Sequence, residues 1–245
     1  MYSELPLAAA PCAFIQKQRV YFMKGKLIVI EGLDGSGKST QIELLKDFIL
    51  SNNISVRKIK LPDYESDSSV LVRMYLNGDF GKQAQDVNAY AASSFYAVDR
   101  FANYKLKWKD DYDSGKIILA DRYTTSNAYH QATKLPESEW KHYFNWLEDF
   151  EYVKLGLPKP DAVIYLDMPI DISQAMMSGR YSGDESKKDI HEADTEYLRH
   201  CRKAALAAAK EMNWQYVNCA ADEHTPRSIA SISEEIKNLI TKLIF

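Results

Sequence analysis

Residues 27–40, LIVIEGLDGSGKST, hold the reading on which the rest of the chain turns. Leu27, Ile28, Val29 and Ile30 form an unbroken apolar run rich in β-branched residues, which predicts a strand buried on both faces and hence a parallel-sheet strand. A glycine-rich turn follows at once: Gly32-Leu33-Asp34-Gly35-Ser36-Gly37-Lys38-Ser39 fits G-x-x-x-x-G-K-[ST]. In that pattern the glycines let backbone N–H groups turn inward around phosphate oxygens. Lys38 then reaches the β- and γ-phosphates, and Ser39 offers a hydroxyl to Mg²⁺. The run TQIELLKDFIL, with Ile42, Leu45 and Ile49 on one face, predicts a helix whose positive dipole end adds to the anion site. A plain glycine turn between strand and helix would leave the Lys-Ser pair unexplained, so the motif is read as nucleotide phosphate binding.

The same alternation continues along the chain. ISVRKIKL (54–61), KIILADRY (116–123), AVIYLDM (162–168) and WQYVNCA (214–220) read as further strands. Between them come a short helix from Ser68 to Leu76, a long helix from Asp86 to Tyr112, and helices over 139–155, about 171–178 and up to about Asn213. A closing helix carries Ile229, Ile232, Ile236, Leu239, Ile240 and Leu243 in one stripe. Strands alternating with helices at this spacing predict an α/β fold, a doubly wound parallel sheet of about five strands flanked by helices. Residues 1–22 differ: they show no period, with Pro6 and Pro11, and Glu4 and Pro11 break any signal-peptide pattern, so they are read as outside the fold, either a disordered leader or a stretch ahead of a natural start at Met23. Residues 23–245 are then one domain, with a mobile charged segment over about 180–194.

Composition bounds the partners. The chain has 245 residues, with 31 Lys+Arg against 34 Asp+Glu for a net charge of −3. That balance offers no basic face for nucleic acid, and no run of apolar residues is long enough to span a bilayer. Cys12, Cys201 and Cys219 are too few and too scattered for a disulfide framework or a metal site, which predicts a reducing, cytoplasmic setting. The 16 tyrosines are an excess that composition alone does not interpret.

Asp121-Arg122 lies at the carboxyl end of the third predicted strand. It could be an exposed strand-end ion pair. In an open parallel sheet, however, ligands bind outside the carboxyl ends of strands, so the pair is expected to face the phosphate loop, with Asp121 beside Ser39 as the metal-holding carboxylate.

Three segments, VIEGLDGSGKSTQ, ADRYTTSNA and GLPKPDAVIYLDMP, together make the chain resemble the thymidylate kinase family of nucleoside monophosphate kinases, most like its bacterial forms. The resemblance runs from about Lys24 to the C-terminus. It implies ATP and dTMP as substrates, Mg²⁺ as cofactor and a homodimer. By position it implies that Tyr96 stacks on the thymine, that Arg100 and Asn127 contact the ring, that Tyr64 contacts the acceptor phosphate, and that Asp34 accepts the sugar 3′-hydroxyl. Lys38, Arg122 and Arg180 become the catalytic cations, with Arg180 and Thr40 joining Gly32 to Ser39 around ATP.

Two positions depart from the family. Some members carry an Arg where this chain has Gly35, and the alternative places arginines in the lid, which here offers Arg180 with Lys187 and Lys188. Whether either lysine completes the clamp or both sit in a solvated charge run stays open. At His130 the family commonly has an aromatic ring that crowds the ribose 2′ position. Other readings of the loop are a deoxynucleoside kinase or another monophosphate kinase. Further off are a GTPase-type switch, for which the chain lacks an N-K-x-D motif, and a non-catalytic nucleotide-binding protein. The smaller, polar imidazole of His130 predicts looser exclusion of ribonucleotides, unless Tyr129 contributes to that exclusion. Turnover of dTMP against ribothymidine monophosphate measures this, and a preference as strong as that of an aromatic-bearing relative contradicts it.

Overall fold

The computed structural model describes residues 24–180 and 195–245. The expected leader and, apart from Arg180, the expected lid lie outside the described residues. Only the backbone of Arg180 is described, at the end of a helix.

Five parallel strands, β1 (Leu27–Glu31), β2 (Val56–Lys60), β3 (Ile117–Asp121), β4 (Ala162–Asp167) and β5 (Gln215–Asn218), pair in the order β2-β3-β1-β4-β5. The central strands β1 and β3 are buried at every residue, as unbroken apolar runs require. At the two edges, Lys58 and Lys60 on β2 and Gln215 and Asn218 on β5 face solvent, which blunts the open strand edges.

Side chains of β1 alternate between two apolar layers. Ile28 and Ile30 pack with Ile42, Leu45 and Ile49 of α1 (Lys38–Ser51) and with Ile232, Ile236 and Ile240 of the closing helix (Ile229–Ile244). Leu27 and Val29 pack on the opposite face with Trp108, Tyr123, Tyr143, Leu198 and their neighbours. That second layer is built by α3 (Ala89–Asn103), α5 (Thr124–His130), α6 (Trp140–Glu148) and α8 (Thr195–Glu211), with α2 (Val70–Leu76) packed on α3; α4 (Lys109–Asp113) and α7 (Ile170–Arg180) complete the series before the closing helix, α9. The connection after β1 therefore leaves on one face and that after β3 on the other. Neighbouring strands whose connections diverge leave a crevice at their carboxyl ends, and that is where a ligand fits.

The long helix expected over Asp86–Tyr112 begins at Ala89, capped by the Asn88 side chain accepting from the Ala91 N–H at 2.9 Å, and is interrupted by a π-helical turn at Tyr104–Trp108. A second π-helical turn, Asp149–Lys154, ends the helix expected over 139–155. The first turn delivers Trp108 into the core against Tyr104, Tyr112 and Tyr123. Trp108 is fully buried, so Trp108→Ala should lower unfolding free energy by about 3–5 kcal/mol, read by urea denaturation.

Candidate functional site

The turn after β1 is shaped by backbone freedom. Gly32 sits at φ 149°, where a Cβ would lie 2.8 Å from the Leu166 carbonyl oxygen and 2.6 Å from Ser36 Oγ, so only glycine fits. Gly37 at φ 85° turns the chain into α1, whose first N–H groups have no intrahelical partner and open outward. Asp34, Gly35, Gly37, Lys38, Ser39 and Thr40 line the resulting cleft, of about 340 Å³. Gly32, Leu33 and Ser36 stand behind it, where the Lys38 ammonium donates to the carbonyls of Gly32 (2.8 Å) and Leu33 (3.0 Å).

Across the crevice, β3 ends at Asp121 rather than at Tyr123. Arg122 turns into left-handed backbone (φ 68°), an unusual conformation for a residue other than glycine, and its side chain spans the cleft floor. Its Nη2 donates to Asp34 at 2.8 Å, and its Nη1 lies 2.9 Å from the Tyr129 hydroxyl and 3.2 Å from His130 Nε2. Burial alone would raise the Asp34 pKa. The charges of Arg122 and Lys38 outweigh it and hold the carboxyl well below the usual range. Burial, reinforced by the Arg122 charge, pushes the Lys38 ammonium down to about 8. Two cations thus share one partly exposed carboxylate, an arrangement that a polyphosphate would relieve.

Residues 124–130 form a helix that the sequence pattern does not announce, α5. No residue of its own caps it. Glu31, fully buried at the end of β1, does so: it accepts from the Tyr123 N–H (3.2 Å), Thr125 Oγ1 (2.6 Å), Ser126 Oγ (2.9 Å) and the Tyr129 hydroxyl (2.8 Å). Asn127 and His130 of α5 line the cleft. Tyr129, expected near the sugar, is instead fully buried and spends its hydroxyl on Glu31 and Arg122; it positions Arg122 from behind. The aromatic neighbour that does line the cleft beside His130 is Tyr197 of α8, whose hydroxyl lies 3.3 Å from His130 Nδ1. No local motif flags it.

Tyr64, Tyr96 and Arg100 line the other end. Tyr96 meets Tyr75 edge to face at 6.4 Å. Arg100 is buried, doubly bonded to Glu151 through Nε (2.6 Å) and Nη2 (2.8 Å), with its guanidinium carbon 5.6 Å from the Tyr123 ring centroid. The adjacent Asp99 holds the Tyr64 loop, accepting from the Asp63 N–H at 3.0 Å and Ser68 Oγ at 2.6 Å. Glu31, Asp99 and Glu151, three buried carboxylates that carry the architecture, went unremarked in the sequence because each acts on residues far along the chain.

Metal donors can be tested against this geometry. Asp121 is nearly buried, lines the cleft and has no side-chain bond among the described residues; Ser39 is exposed at the start of α1. No group of three or more His, Cys, Asp or Glu side chains among the described residues could cage a metal. A single carboxylate and a hydroxyl, both hard oxygen donors, suit Mg²⁺, which completes its shell with water and substrate phosphates.

Comparison with known proteins gives the family. The thymidylate kinase family model matches residues 30–228. The chain belongs to the thymidylate kinase family. It is 30% identical over 213 residues to the thymidylate kinase of Mycobacterium tuberculosis (strain ATCC 25618 / H37Rv), covering 84% of this chain and 97% of that one. Against the thymidylate kinase of Prochlorococcus marinus (strain NATL2A) it is 27% identical over 225 residues, covering 89% and 99%. Among solved structures, thymidylate kinase from Candida albicans shares the fold at a TM-score of 0.64 and 22% identity, over 90% of this chain and 92% of that one.

Removing the Glu31 carboxylate takes the acceptor from the buried Tyr123 N–H, Thr125 Oγ1 and Tyr129 hydroxyl, and from Ser126 Oγ at the cleft wall. Glu31→Ala should therefore cost about 3–5 kcal/mol of stability, measured by urea denaturation. Unchanged stability would mean that α5 is held by packing alone.

Proposed function

We propose that this member of the family transfers the γ-phosphoryl group of ATP to the 5′-phosphate of dTMP, giving ADP and dTDP. The carrying observation is one cleft lined at once by the phosphate loop, by Arg122 and Asp121, and by the pyrimidine-sized set Tyr96, Arg100 and Asn127. A nucleotide held at each end brings its phosphates to the cations between.

The acceptor oxygen is already anionic, so no strong base is required, and the residues act by positioning and by neutralising charge. Lys38 moves from the Gly32 and Leu33 carbonyls to the donor phosphates. Arg122, braced by Asp34 and Tyr129, faces the transferring group. Asp34 keeps carboxylate lone pairs for the sugar 3′-hydroxyl, and Tyr64 reaches the acceptor phosphate. Ser39 and Asp121 would hold Mg²⁺, which supplies charge compensation on the phosphates when bound. Arg180 is assigned to the donor phosphates by the family pattern alone. His130, between Arg122 and Tyr197, takes the place beside the sugar.

Residues 23–245 work as one catalytic domain. A homodimer is supported by the exposed Val98, Phe101 and Leu106 on and after α3, an apolar strip suited to a second copy. A cytoplasmic setting is supported by Cys201 and Cys219, both buried and neither in a disulfide among the described residues. Among the described residues no helix is long and apolar enough to cross a membrane.

Coupled ADP release with dTMP, dUMP, dCMP, dGMP and thymidine tests the reading: the highest rate is expected with dTMP, and a rate at background with dTMP rejects it. Lys38→Ala should lower kcat by roughly 10³-fold or more in a protein that remains folded by circular dichroism.

A further inference from the structure

We infer that Glu151, a residue that does not line the cleft, sets the cleft's choice of pyrimidine by fixing which end of the Asn127 amide faces it. The inference rests on the proposed placement of the base against Arg100 and Asn127.

Glu151 is fully buried in the π-helical turn after α6, and each of its contacts is a donor: Arg100 Nε and Nη2, Thr124 Oγ1 at 2.7 Å and Asn127 Nδ2 at 3.4 Å. The same Asn127 Nδ2 lies 3.3 Å from the Ser93 carbonyl oxygen. A carboxylate paired to a guanidinium and a backbone carbonyl both only accept. Rotating the Asn127 amide by half a turn would set its oxygen against both of them, so the NH₂ end is locked inward. Asn127 Oδ1, which has no partner among the described residues, is then the end left for the cleft that Asn127 lines.

Arg100 is polarised by the same carboxylate. With Nε and Nη2 committed to Glu151, Nη1 remains to donate into the cleft. The wall therefore presents a donor next to an acceptor. Thymine, with its O4 acceptor beside the N3–H donor, complements that order. Cytosine reverses both groups and meets donor with donor and acceptor with acceptor. Uracil carries the same edge as thymine, so this device separates cytosine from the other two and leaves the methyl group to other contacts.

The test measures kcat and KM for dTMP and dCMP, with calorimetric dissociation constants for both nucleotides, on wild type, Glu151→Gln, Glu151→Asp, Asn127→Ala and the Glu151→Gln/Asn127→Ala pair. Wild type should prefer dTMP by ~100-fold or more, as expected where mispaired polar groups are desolvated. In Glu151→Gln an NH₂ group replaces one accepting oxygen. The Asn127 amide then has only the Ser93 carbonyl to hold its orientation, and the preference should narrow by roughly tenfold or more, carried mainly by KM. Glu151→Asp keeps an acceptor-only partner and should keep the preference while weakening both nucleotides. In the Asn127→Ala background, Glu151→Gln should change the preference no further.

A purely structural role would lower dTMP and dCMP together. An unchanged ratio in Glu151→Gln, or additive effects in the pair, overturns the inference while leaving the kinase reading intact. Preferential binding of dTMP without phosphoryl transfer does the reverse. If Glu151→Gln does not fold, Glu151→Asp decides: a collapsed preference there contradicts the proposal.

Discussion

The fully buried carboxylate of Glu31 is the constraint on which the site depends. It sits at the carboxyl end of the central strand, one residue before the phosphate loop, and gathers donors from the first turns of α5. Through the backbone N–H of Tyr123 it fixes where β3 stops. Through Tyr129 it fixes where the Arg122 guanidinium lies. A carboxylate left unpaired at this depth would be costly, so the loop and α5 are obliged to meet in one arrangement. The crevice between β1 and β3 would be present in any sheet of this topology; Glu31 gives it chemistry by bringing Asn127, His130 and Arg122 to its edge.

Glu151 repeats the device one layer out. Two acidic side chains, neither touching the cleft, orient the groups that do. Between these anchors the site keeps mobile charge: Lys38 and Arg122 share Asp34, with Lys38 resting on loop carbonyls. In the proposed reaction, recognition of the base and neutralisation of phosphate fall to different residues.

Strands buried on both faces announce themselves as apolar runs, and the phosphate loop as a spaced set of glycines before Lys-Ser, so the sheet, its alternation with helices and half of the cleft are legible in the sequence. The short helix α5 is not, because its cap comes from Glu31, far earlier in the chain. Nor are the two π-helical turns, which lie within stretches whose periodicity continues an α-helix. They matter: one seats Trp108 in the core, the other delivers Glu151 beneath Arg100. Most of the described tyrosines fall into two groups. Tyr104, Tyr112, Tyr123, Tyr129, Tyr143 and Tyr165 fill the layer between the sheet and its helices, with Tyr123 also reaching the cleft, while Tyr64, Tyr75, Tyr96 and Tyr197 line the cleft. Which group a tyrosine joins is a property of the fold and is invisible in composition.

Phosphorus NMR of the protein with ATP, Mg²⁺ and dTMP follows the transferred phosphorus itself. The γ-phosphate signal of ATP should be replaced by the β-phosphate signal of dTDP, in equal amount to the ADP formed. ADP accompanied by inorganic phosphate, or a dTMP signal that persists unchanged as ATP is consumed, would contradict transfer to dTMP.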